Sequence, residues 1–331
     1  MATLADKKLT LLDVTKRLDP DGSVAAVAEL LSQDNEILQD IPWVAGNLPT
    51  GHRITQRTGL PDVYYRKLNK GVPSSKSRTA QIDEACGLLE ARGSIDKELA
   101  LLNGNTAEYR LSENQAFVEA MGQTFGSRLF YGDTAVTPEE FVGFAPRFSS
   151  LSAENGQNII SGGGATNLTS IWLVGWSPNK SVFGVYPKGT QAGLTHEDLG
   201  EGDEFDADGN RYRAFMDRYV WRHGLAVRDW RYVVRIPNID VTALTKDAAS
   251  GADLLNLMTR ATSRIKSLTG VTPAFYANRT IESVLRQQAT NATKNSTLSF
   301  DTVTNPEPVV KFAGVPVRRV DALLNTESQV T

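Results

Sequence analysis

"GHRITQRTGLPDVYYRKLNKGVPSSKSRT", residues 51–79, decides the fold, because it holds two strand-like pieces and almost nothing to bury between them. His52 to Thr58 and Val63 to Leu68 are rich in β-branched and aromatic residues, and Gly59-Leu60-Pro61-Asp62 between them has the composition of a turn. The stretch reads as a long hairpin arm with Leu60 at its tip. Its stem carries Arg53, Arg57, Arg66, Lys67 and Lys70 among Tyr64 and Tyr65. An arm that cannot bury itself needs a partner. Tyr and Arg are enriched at protein interfaces, and the same residues hold phosphates and stack bases. The formal charge of −3, from 35 basic and 38 acidic residues, lacks the basic excess of a nucleic-acid binder. Protein contact is therefore the favoured reading, with an Arg/Tyr nucleic-acid-binding arm as an alternative.

Outward from the arm, residues 22–33 read as a short helix with Ser23 as its N-cap. Downstream, a strand is expected around Ala80 to Glu90, then a short helical piece in "SIDKELALLN". The clearest helix is expected to start at Ser112, whose spacing to Gln115 makes a capping box, and to run to Tyr131 before Gly132-Asp133. Phe117, Met121, Phe125 and Leu129 recur every four residues and give it one apolar stripe. The middle third is β-rich, with a hairpin signal at Asp208-Gly209. From Asp253 a second amphipathic helix places Leu254, Met258, Ala261, Ile265 and Leu268 in register, a third runs from Arg279 to Gln288, and "PVVKFAGVPVRRVDALL" returns to strand. The fold class is α+β, without internal repeats. At 331 residues, with 40% hydrophobic and 22% charged residues, the chain can bury a substantial core.

Chemistry is sparse. "SGGGATNLTSIWLVGW", residues 161–176, places Ala165-Thr166-Asn167 where a phosphate loop needs Gly-Lys-Ser/Thr, so Gly162, Gly163 and Gly164 read as a bend before a strand. His52, His196 and His223 read as loop or surface histidines without metal-ligand spacing. In "EFDADGN" a calcium loop fails, because Phe215 stands where a bidentate Glu is required; a hairpin turn remains. A soluble α+β enzyme with unrecognised motifs, using Asp198, Glu201 and Asp203 in an acidic loop as metal ligands, is a second alternative. No catalytic, cofactor-binding or metal motif is recognised. The single cysteine, Cys86, reads as a small buried residue and implies synthesis in a reducing cytoplasm. No segment approaches a membrane span, so a soluble, unexported chain is expected.

The order of pieces, together with "NEILQDIPWVAGNLPTGH", "RTGLPDVYYRKLNKGVPSSKSRT", "RLFYGD", "GLTHEDLGEGDEF", "RDWRYVVRIPNID" and "AFYANRTIESVLRQQ", resembles a tailed-bacteriophage major capsid protein. The likeness is to coat proteins of the short-tailed, podovirus type, such as those of Bordetella phages. It implies the Hong Kong ninety-seven phage capsid fold: N-terminal arm, extended hairpin loop, long spine helix, peripheral and axial domains. Carried onto this chain, residues 1–50 are the N-terminal arm and residues 51–79 the extended loop. Residues 80–150 become a peripheral-type region with its spine helix at 112–131, and residues 151–331 the remaining axial and peripheral regions.

The resemblance further implies a structural, non-enzymatic protein of the virion that assembles with itself into pentamers and hexamers of an icosahedral shell around double-stranded DNA. A portal, a cement or decoration protein and a separate scaffolding protein, or an already processed chain, are implied as partners, with no sequence-specific DNA contact and no membrane. Some relatives crosslink a loop lysine to a neighbour's asparagine. Lys67, Lys70 and Lys76 lie in or beside the loop, but no acceptor is identified and no crosslink is expected. Within this reading Gly162 to Gly164 serve as a flexible hinge, because glycine changes φ at little cost.

Overall fold

The computed structural model describes residues 33, 35–101, 106–206, 208–245, 251–289, 298–301 and 309–331. The helix expected over residues 22–33 lies, apart from Gln33, outside them. After a one-turn helix α1 (Ile37–Asp40) and the short strand β1 (Trp43–Ala45), the arm is built from β2 (Gly51–Gly59) and β3 (Arg78–Ala85). Strand β4 (Gly87–Asp96) follows after the single residue Cys86, and α2 (Lys97–Ala100) is capped by the Asp96 carboxylate, which accepts from the Glu98 N–H.

The long helix α3 spans Thr106–Tyr131, 26 residues, or about 39 Å at 1.5 Å per residue. It starts before the expected Ser112, so Ser112 and Gln115 sit inside the helix and make no capping box. Its stripe is buried progressively. Phe117 is half-buried and stacks on Tyr219 at 5.6 Å, whereas Met121, Phe125 and Leu129 are fully enclosed. One further turn of helix, α4 (Phe144–Arg147), leads into the sheet strands β5 (Leu168–Trp176), β6 (Val182–Tyr186), β7 (Leu194–Phe205), β8 (Arg211–Val227) and β9 (Val233–Asp240).

Strand β5 is the centre of the molecule. All nine of its residues are buried, and their alternation divides two cores. Trp172, Val174 and Trp176 face Phe125, Leu129, Phe130 and Phe144 on one side of the sheet. Ile171 and Leu173 face the other, where α5 (Leu254–Arg264) and α6 (Arg279–Ala289) pack through Leu254, Met258, Ile281 and Leu285. Asp253 caps α5 by accepting from the Asn256 N–H at 3.2 Å. The helix ends at Arg264 where Ile265 turns to extended backbone, so Leu268, expected on its stripe, is left 39% exposed.

Strand β10 (Thr272–Ala277) and β9 flank β5, both antiparallel to it. Beyond β10 the sheet continues through β13 (Val315–Arg319), β12 (Val309–Phe312) and β11 (Leu298–Asp301). On the other side β6 joins β8, which lies between β4 and β7 from Ala214 to Trp221. The last residues of the chain fold back over the first core. Arg235 and Glu327 form a buried ion pair at 2.8 Å, Tyr131 donates to Glu327 at 2.6 Å, and the Arg235 guanidinium lies 5.0 Å from the centre of the Trp172 ring.

Candidate interface arm

Strands β2 and β3 pair antiparallel from Gly51 opposite Ala85 to Gly59 opposite Arg78. The second strand of the arm is therefore not Val63–Leu68 but Arg78–Ala85, whose polar "RTAQIDEA" hides it from a reading based on apolar alternation. Residues 60–77 form no strand, and their hydrogen bonds among the described residues stay within the tip: Lys70 N–H to the Lys67 carbonyl at 3.2 Å and Ser75 Oγ to the Asp62 carbonyl at 2.7 Å. Val63, Tyr65 and Leu68 are exposed by 92%, 107% and 91%, and Leu60 and Tyr64 are exposed as well. Arg57, Arg66, Lys67 and Lys70 are exposed, with no ion-pair partner among the described residues. Arg53 differs, because it grips Asp83 across the hairpin with two bonds of 2.6 and 2.7 Å, which hold the Asp83 carboxyl below its usual range.

The root of the arm is as firmly held as the tip is bare. Ile54 is buried against Phe183, Val185 and Ala226. His52 packs edge-on against Phe183, and burial with the nearby Arg228 lowers its pKa. Glu84, only 6% exposed at its side chain, accepts both arms of the Arg147 guanidinium from α4 at 2.7 and 2.6 Å. Gln56 Nε2 donates to the Arg228 carbonyl at 2.8 Å. Such a bidentate pair is directional and resists shear. Neither Glu84 nor Arg147 belongs to a motif, and no local signal distinguishes Glu84 from the adjacent Asp83.

The other candidate residues fall elsewhere. Asp198, Glu201 and Asp203 stand in strand β7, not in a loop, and each is engaged by a cation: Arg110 at 3.0 Å, Lys97 at 2.9 Å and Arg213 at 3.1 Å. Among the described residues no group of three or more His, Cys, Asp or Glu could hold a metal ion. Asp206 closes the β7–β8 turn by accepting from the N–H groups of Asp208 and Asn210, and Gly209 supplies φ +85. The histidines lie in strands rather than loops. His196 is stacked on Tyr219 at 4.7 Å and bonded to the buried Asp217 at 2.8 Å. His223 is buried between Phe125, Phe141 and Trp221, which pushes its pKa down to about 4. Cys86 is half-buried, and desolvation raises its thiol to about 11.

The glycine cluster runs along β9. Gly162 and Gly164 donate to the carbonyls of Pro237 and Asn238 at 2.8 and 2.7 Å, and a Cβ on either would meet backbone atoms at 2.8 Å. Close approach accounts for these two glycines, whereas Gly163 has open space around it and needs glycine for its φ of +82.

The family description "Major capsid protein GP7" matches residues 19–331. The chain belongs to this major capsid protein family. A solved chain from bacteriophage Epsilon15 is similar over 100% of both chains, with 34% sequence identity and a TM-score of 0.79. The bacteriophage JBD30 capsid shares the fold at 10% identity, covering 89% of this chain and 92% of that one, with a TM-score of 0.52. No curated protein matches. The protein is thus a bacteriophage major capsid protein, a structural component of the virion with the Hong Kong ninety-seven type of mixed α/β capsid fold.

Proposed function

We propose that identical copies assemble into pentamers and hexamers of an icosahedral phage head enclosing double-stranded DNA, of the short-tailed type that the Bordetella podovirus coat proteins exemplify. The arm at residues 51–85 acts as the extended loop, α3 as the spine helix, and the two cores about β5 belong to the axial and peripheral regions. Synthesis is in the host bacterial cytoplasm, and portal, scaffolding and cement proteins complete the particle. The observation that carries this reading is the bare tip: Leu60, Val63, Tyr65 and Leu68 stand in solvent on a root that is rigidly anchored. Exposed apolar groups of this kind are covered in the working state. Each arm contact is small, and repetition around a closed shell multiplies it, because every bond already made raises the effective concentration of the next. Gly163 lets one chain adapt to different positions in the shell.

Negative-stain electron microscopy with sedimentation of the purified chain tests the reading. Shells, tubes or ring-shaped capsomers are the expected result. A monodisperse small oligomer at every salt concentration, with and without a lysate of the native source, would refute it.

A further inference from the structure

The root of the arm also walls a cavity that the shell reading does not use. Thr55, Gln56 and Arg57 on β2 close one side of it, and its volume is about 400 Å³. Glu154, Lys180 from the turn between β5 and β6, and Arg228 to Arg231 just after β8 supply the rest. A space of this size suits a small ligand.

Its charge is one-sided. The lining acids are Glu154 and Asp229, and Asp229 is already engaged, accepting from Arg231 at 2.8 Å and from Lys266 at 3.2 Å. Arg57, Lys180 and Arg228 have no carboxylate partner among the described residues. With Lys266 counted, five bases face two acids, a net +3 in a chain whose formal charge is −3.

Arg228 is held in place without being neutralised. Its backbone N–H donates to the Ser181 carbonyl, its carbonyl accepts from Gln56 Nε2, and its Nη1 donates to the Asn179 carbonyl, each at 2.8 Å. The guanidinium lies 5.9 Å from the centre of the Phe183 ring. Carbonyls fix a cation but carry no net charge to cancel it, and a side chain ordered beforehand loses little further freedom on binding. Lys180 is placed too, since its ammonium lies against Gly270, where no side chain displaces it. A planar fork beside a point charge matches the oxygens of a phosphate group.

We propose that this cavity binds a small phosphate-bearing anion, held by Arg228 and Lys180 and met by Arg57 from the arm. The bound anion ties the root of the arm to the body of the same chain, because it cancels the repulsion between cations carried by β2 and by the turns beneath it. Glu154 opposes the ligand and limits its affinity. The site requires only the folded chain, assembled or not.

Isothermal titration calorimetry of the full chain at low salt, with sodium tripolyphosphate and separately with ATP, tests the site. One anion per chain is expected. Arg228→Gln and Lys180→Gln should each weaken binding at least about fivefold, through the loss of charge-assisted hydrogen bonds. Glu154→Gln should strengthen it by about twofold or more, since a like charge is removed. Lys70→Gln takes the same charge from the arm tip and should change nothing. Circular dichroism checks folding, and if Arg228→Gln does not fold, the exposed Lys180 and the variant Arg57→Gln still decide. ATP binding more tightly than tripolyphosphate would make the ligand a nucleotide whose base uses the half-buried Trp230 ring at the cavity wall, and equal binding would make it a free phosphate chain. No saturable binding, an equal loss in Lys70→Gln, or a hexaglutamate peptide that binds more tightly than tripolyphosphate would overturn the proposal. None of these outcomes bears on the shell reading, which particle formation tests separately.

Discussion

The chain projects a long hairpin from each end of β8, and the two stand in solvent by different means. The β7–β8 hairpin is laced by its own chain. Arg110 from α3 reaches both Asp198 and the buried Asp217, Arg218 joins Glu90 to Glu197, and Arg213 reaches Asp203. The β2–β3 arm has one such cross-strand pair, Arg53–Asp83, and beyond it the cations of the tip are unpaired among the described residues. Similar length and polarity therefore hide opposite designs. A hairpin whose charges are satisfied internally supports its own sheet, whereas one whose charges and apolar groups are left over is shaped for another surface.

Removing residues 60–77 and closing β2 to β3 with a short turn should show the difference most sharply. Assembly, read by sedimentation, is expected to fall by about a hundredfold or more, since repeated weak contacts fail together. The thermal midpoint of the subunit should hardly move, because Ile54, His52 and the Glu84–Arg147 pair all lie in the root. A deleted tip that leaves particle yield unchanged would place the two hairpins in the same class.

The converse change in the other hairpin should act on stability. Arg110→Ala leaves Asp217, 2% exposed, with His196 as its remaining side-chain partner, and stranding a buried charge of this kind costs roughly 3 kcal/mol, the lower end of the range because Arg110 is itself partly exposed. Urea denaturation would report it. A loss well under about 1 kcal/mol would mean that the lacing is ornamental and that backbone pairing alone holds β7–β8.

What could be read from the residues follows the same division. Strand β5 was legible because both its faces are apolar, and α5 and α6 because each buries one stripe against it. The β7–β8 turn was legible from Asp208-Gly209, a local signal. The arm's pairing was not, because β3 has almost no buried residue to mark its period and Val63–Leu68, which does look like a strand, is apolar for a surface outside the chain. The start of α3 escaped for a related reason: Leu111 and Val118 face solvent, so no continuous apolar stripe leads back from Phe117. Glu84 and Arg147 are 63 residues apart, and only the fold brings them together.

The root that the two hairpins share offers the finest test. His223 on β8 faces Gly87, where the arm's line passes into the sheet, and its Nδ1 has no hydrogen-bond partner among the described residues. Burial lowers its pKa to about 4 from 6.5, so the folded chain prefers it neutral. Its contribution is complete above pH 6.5 and is lost as the pH falls toward 4, because the unfolded state takes up the proton first. The loss amounts to about 2 kcal/mol between pH 8 and pH 5. In the variant His223→Leu that part of the slope should vanish, while at pH 8 stability should hold or rise slightly, since an apolar group replaces an unpaired polar atom. Denaturation of both chains across this range checks it. Identical slopes would mean that His223 opens to water, and that the junction between the two hairpins is looser than its aromatic surroundings imply.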